Sequence, residues 1–126
     1  MYWKVKLRPA DTLFSKYIRT KAGNKCEYCG VSGEYKRLEC SHYFSRRYES
    51  LRFDEDNCSC LCFVCHKELG HTGREEKEEY KKFMINKLGQ KGFDLLELHK
   101  ETSQKRDDKL QMVILREKMK ELNEIY

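Results

Sequence analysis

Apolar and polar positions follow two different periods along this chain. Near the start, Trp3, Val5 and Leu7 alternate with Lys4, Lys6 and Arg8, which predicts a short strand or extended arm ending at Pro9. Leu13, Phe14, Tyr17 and Ile18 then recur at helical spacing, with Asp11 or Thr12 as the cap and Gly23 as the stop. Arg37 to Cys40 reads as a short strand ending at His42, and residues 43–57 as loop plus a second strand. Leu61 to Leu69 reads as a helix stopped by Gly70. Tyr80, Phe83, Met84 and Leu88 share one face of a helix over about 74–88 that Gly89 closes. Phe93, Leu95, Leu96 and Leu98 predict another short helix, and Asp107 or Asp108 caps a last one. In that last helix Met112, Leu115, Met119, Leu122 and Tyr126 form a heptad-like seam. The seam has too few heptads for a confident coiled coil, so packing onto the domain is the favoured reading. A homodimer through the same helix is the other.

A chain of 126 residues is one domain by length, with 39% hydrophobic and 37% charged residues and therefore a modest core. Small domains of this kind often lean on a metal. Seven cysteines would suit a disulfide scaffold, but the number is odd and no apolar leader precedes them. The expectation is a reducing, cytoplasmic compartment, the cytoplasm of a bacterial host cell, with thiolates on metal. No apolar run is long enough to span a membrane. Charge is uneven: residues 1–53 carry 12 Lys/Arg against 5 Asp/Glu, and residues 54–126 carry 14 against 16. A basic half with Arg interleaved among aromatics, as in Tyr43-Phe44-Ser45-Arg46-Arg47-Tyr48, suits nucleic acid.

The cysteines give the most specific signal. Cys26-x-x-Cys29 and Cys62-x-x-Cys65 have matched spacing and can close one tetrahedral thiolate site for a structural Zn²⁺. The Gly after Cys29 permits the knuckle's tight turn. Cys40, Cys58 and Cys60 are then small buried hydrophobes. Between the Cys pairs lie His42 and Asn57, and His66 follows Cys65 directly. Phosphodiester cleavage needs a base, a cation and a held phosphate. His42 suits the base, and Arg46, Arg47 and Arg52 suit flanking phosphates. Asn57 can hold its loop or offer an amide oxygen. Glu39, His66 and His71 are candidate ligands for a catalytic Mg²⁺ or Mn²⁺.

These residues resemble the HNH (ββα-metal) endonucleases, in a zinc-stapled form. More closely, Ser41-His42-Tyr43, Leu51-Arg52-Phe53-Asp54-Glu55-Asp56-Asn57 and Cys62-Phe63-Val64-Cys65 resemble the phage lambda NinG (Rap) recombination nuclease group. The resemblance runs over roughly residues 12–125. It implies an α+β fold with a treble-clef-like ββα-metal core over about 24–72. An N-terminal arm and helix (1–23) and C-terminal helices (73–126) would flank it in a single domain. It also implies structure-selective cleavage of branched DNA, such as Holliday junctions, D-loops or flaps. By position, His42 would be the general base, Asn57 the motif Asn and His66 the final His. Two departures stand out. Ser41 occupies the place where many HNH enzymes carry a ligating Asp, and the longer N-terminal region of lambda-type proteins is absent.

Two rival readings share parts of this pattern. A non-catalytic zinc module that binds nucleic acid needs the Cys pairs and the basic half but not His42 with Asn57 and His66. A cross-brace interaction domain needs a second metal site, for which Cys40, Cys58, Cys60 and His71 are poorly spaced.

Overall fold

The computed structural model describes residues 6–32, 37–70, 74–102 and 107–125. The predicted N-terminal strand or arm falls mainly on residues 1–5, outside the described residues, and residues 6–8 are not strand. The fold is α+β. Helix α1 (Pro9–Lys21) precedes strand β1 (Leu38–His42) and strand β2 (Cys58–Cys62), then helices α2 (Phe63–Gly70), α3 (Arg74–Lys100) and α4 (Asp108–Ile125). The two strands pair antiparallel, Leu38 with Cys62 and His42 with Cys58. No described helix is long and apolar enough to cross a membrane.

Several boundaries differ from the sequence reading. Pro9 is the first residue of α1 rather than the end of an arm. Proline suits that position because its φ is preset and the missing N–H has no helical partner there anyway. Asp11 sits inside the first turn, where its carboxylate accepts the Arg8 N–H at 2.7 Å, and Thr12 is exposed. Residues 43–57 hold two short 3-10 turns, Glu49–Leu51 and Glu55–Asn57, and no strand. The second strand is the Cys58–Cys62 run itself, buried at every position. A strand buried on both faces shows no polar alternation by which to recognise it. The two helices predicted on either side of Gly89 meet end to end in α3, where Gly89 breaks the helical path at φ 78°. Glycine adopts that conformation without the Cβ penalty. Asp107 caps α4, its Oδ1 accepting the N–H of Lys109 at 2.9 Å and of Leu110 at 3.2 Å.

Helices cover both faces of the small sheet. On one face Cys58 and Cys60 pack with Ala10, Phe14 and Ile18 of α1 and Leu115 of α4. On the other, Leu61 packs with Leu69 of α2 and with Tyr80, Met84, Phe93 and Leu96 of α3. The α4 seam is spent within the chain: Met112, Leu115, Met119 and Leu122 join the α1 core. Tyr126, the last residue of the seam, lies outside the described residues. Glu55 ties three elements together, accepting from Tyr17 at 3.1 Å, from Lys21 at 2.6 Å and from Lys118. Burial alone would raise the Glu55 carboxyl, but Lys118 and Lys21 outweigh it and hold it at about 2.

Candidate functional site

The thiols of Cys26, Cys29, Cys62 and Cys65 converge, all within 4.8 Å of one another. Two knuckles build the cluster in the same way. The Cys29 N–H points at Cys26 Sγ and the Cys65 N–H at Cys62 Sγ, each at 3.5 Å. The first knuckle turns through Gly30 at φ 81°, and the Gly30 N–H closes on the Cys26 carbonyl at 2.9 Å. Cys29 Sγ and Cys62 Sγ are 3.8 Å apart. Sulfurs at the corners of a tetrahedron with Zn–S bonds of about 2.3 Å lie about 3.8 Å from each other, so the spacing fits zinc. Burial would raise the Cys26 thiol, but hydrogen bonds from neighbouring backbone outweigh it and bring the group down to about 7. These four residues can hold one zinc ion. Glu27 fastens the first knuckle to the rest of the fold. Its carboxylate accepts the Cys60 N–H at 2.6 Å and pairs with Lys87 of α3 at 2.8 Å.

Beside this clamp, His66 of α2 meets Glu39 of β1, Nδ1 to Oε1 at 2.8 Å. A carboxylate only accepts at neutral pH, so Nδ1 is the donor and Nε2 is turned away from Glu39. A carboxylate orienting an imidazole in this way is the usual support of a metal-bound histidine. Both side chains are partly open, at 36% for His66 and 27% for Glu39, and line a cleft of about 260 Å³ with Phe63, Lys67 and Gly70. The pair fits a divalent cation as one nitrogen donor with a neighbouring carboxylate. His71, the third candidate ligand, lies outside the described residues.

His42 opens elsewhere. Odd spacing along a strand puts Glu39 and His42 on opposite faces of β1. His42 lies against α1, its ring 6.0 Å from that of Phe14, and lines a second cleft of about 290 Å³ with Cys40, Arg19, Arg46 and Ser15. Its Nε2 bonds the Arg52 carbonyl at 2.9 Å. A carbonyl can only accept, so Nε2 carries the proton and Nδ1 has the free lone pair. Burial lowers the His42 pKa to about 4, with Arg46 adding to the effect, so the ring is neutral near pH 7. His42, Asn57 and His66 are thus not brought into one cluster.

Asn57 is fully buried and holds the loop. Its Oδ1 accepts the Phe44 N–H at 2.9 Å, while Nδ2 donates to the carbonyls of Phe44 at 2.9 Å and Leu51 at 3.2 Å. Arg52, expected to grip phosphate, is instead 3% exposed. It donates to Asp11 through Nε at 2.9 Å and through a terminal nitrogen at 2.5 Å, and to the Lys6 carbonyl at 2.7 Å. Asp11 in turn raises the Arg52 pKa. Arg47 is exposed and Arg46 half-buried at the His42 cleft. Tyr43 is a core residue against Tyr80 and Phe93, whereas Tyr48 is exposed.

A family model described as Bacteriophage Lambda NinG protein matches residues 2–124. The chain belongs to the NinG family. No curated protein and no solved structure matches it. In this NinG-family chain, one grouping escaped the sequence reading. Cys40 and Cys58, read there as small buried hydrophobes or as part of a poorly spaced second metal set with Cys60 and His71, stand instead beside His42, with ligand atoms of all three within 4.8 Å. The signal was present in the alternation of Cys40 with His42, but it needed the register of β2 to become legible.

Proposed function

We propose that the chain is a metal-dependent DNA endonuclease of phage recombination, acting on branched intermediates such as four-way junctions, D-loops or flaps. The observation that carries this reading is the Glu39–His66 pair, an oriented imidazole with its carboxylate in an open cleft beside the thiolate clamp. Family membership supports the phage setting. A Mg²⁺ or Mn²⁺ ion taken by His66 Nε2, with Glu39 orienting the ring through Nδ1, would neutralise phosphate charge.

His42 is the base. Its Nδ1 takes a proton from water, the water oxygen bonds to phosphorus, and the bond to the 3′ oxygen breaks. The products are 5′-phosphate and 3′-hydroxyl ends. An approaching phosphate stabilises the imidazolium and raises the depressed pKa during that transfer. Arg46 and Arg47 hold the backbone. Glu39 and His42 stand three residues apart, about 10 Å along β1.

Cleavage of matched duplex, flap and four-way junction DNA, with Mg²⁺, Mn²⁺ or EDTA, tests this reading. His42→Ala should lower the rate by about 10²-fold or more. His66→Ala should raise the metal concentration required. Full activity of His42→Ala would remove the mechanism. The separation of His42 from His66 favours one second reading, a zinc module that binds DNA without cutting it. A folded, zinc-loaded protein that binds DNA and cuts none of these substrates would establish that alternative.

A further inference from the structure

We propose that Cys40, His42 and Cys58 form a second metal site, suited to a soft dication of the zinc or cadmium class. Their ligand atoms lie within 4.8 Å of one another. Strand pairing brings them together: Cys40 and His42 share one face of β1, and Cys58 is the cross-strand partner of His42. His42 is already set as a ligand. Metal-bound imidazoles usually donate their other N–H to a carbonyl or carboxylate, and here Nε2 bonds the Arg52 carbonyl at 2.9 Å. That leaves Nδ1 to bind.

Donor chemistry selects the ion. Two thiolates and an imidazole suit zinc or cadmium and are poor ligands for Mg²⁺. Charge also balances, since two thiolates cancel a dication and Arg19 and Arg46 along the cleft then meet a neutral centre. Binding releases the two thiol protons to solvent. Cys58 is buried, but Cys40 and His42 line the cleft of about 290 Å³, which supplies an entrance and a fourth position for water.

A metal here takes the lone pair that His42 uses as a base. This consequence rests on the nuclease reading: zinc beyond the structural ion then switches cleavage off. The binding itself does not depend on that reading.

The test is native mass spectrometry of the full chain titrated with Zn²⁺, with Cd²⁺–thiolate absorbance alongside, for wild type, Cys40→Ser and Cys58→Ser. Wild type should take two ions. Cys40→Ser, changed at a half-buried position, should take one while keeping the four-thiolate site and its melting behaviour. Cys58→Ser should do the same if it folds. With His66→Ala added to every protein so that the Glu39 cleft takes no zinc, one ion in the chain that keeps Cys40, or two in Cys40→Ser, would overturn the proposal. In the cleavage assay the second equivalent should slow wild type by about tenfold or more and leave Cys40→Ser unaffected. Two bound ions with undiminished cleavage would overturn the switch. Two bound ions in a protein that never cuts would sink the nuclease reading and leave the metal site standing.

Discussion

Arg52 separates a structural role from a phosphate-binding one with opposite expected outcomes. Its guanidinium is buried at 3% exposure and holds the equally buried Asp11 with bonds of 2.9 and 2.5 Å. Arg52→Leu roughly keeps the side-chain bulk but leaves the Asp11 carboxylate with the Arg8 N–H at 2.7 Å to accept from. Removing one member of a buried ion pair costs about 3–5 kcal/mol. Unfolding entropy of about 2.1 cal/mol/K per residue gives about 0.26 kcal/mol/K for 126 residues. The melting temperature should therefore fall by roughly 11–19 °C. Circular dichroism melts in zinc-saturated buffer measure this directly. Asp11→Leu combined with Arg52→Leu should recover a large part of the loss, because no unpaired charge remains. DNA binding over a salt series supplies the contrast. A phosphate-gripping Arg52 would leave the melt alone and reduce the slope of log affinity against log salt by about 0.9. A melting temperature within about 2 °C of wild type, together with that slope change, would refute the structural argument.

Chelation of zinc, or Cys62→Ser, should unfold most of the domain, read as loss of the cooperative melt; an unchanged melt would contradict the four-thiolate clamp. The low pKa of His42, about 4 against an unfolded value of 6.5, has a definite sign. The unfolded chain takes up that proton first, so the contribution is complete above about pH 6.5 and lost progressively towards about pH 4, by about 3 kcal/mol. Urea midpoints of wild type and His42→Gln, each with a single equivalent of zinc so that only the four-thiolate clamp is filled, should converge over that interval, and parallel pH curves would refute it. Gly89→Ala meets no neighbour within 4 Å, so its cost comes from the positive φ alone. That cost is about 1–3 kcal/mol, a drop of roughly 4–11 °C, and an unchanged melt would count against the break in α3.

The thiolate clamp was legible because zinc dictates ligand spacing within each knuckle, and local spacing is what a sequence displays. The helical faces of α3 and α4 were legible for the same reason. The Cys58–Cys62 strand was not, because burial on both faces erased its alternation. Arg52 was misread because its partner Asp11 lies 41 positions away and only the tertiary fold joins them. The opposed clefts of His42 and His66 follow from strand parity. They stayed hidden because a strand alone, without the helices that cover each of its faces, does not show which cleft a side chain enters.

The packing of α1 against α4 has a consequence during synthesis. Phe14 and Leu115 share one core, yet about 100 residues separate them in the order of translation. At roughly 5–20 residues per second, α1 waits about 5–20 s for the helix that covers it. The cysteine knuckles, the sheet and the first part of α3 all emerge in the interval. The metal-clamped half can therefore assemble on the ribosome while Phe14, Tyr17 and Ile18 still lack α4. A chaperone that protects the nascent chain would find its apolar target in α1.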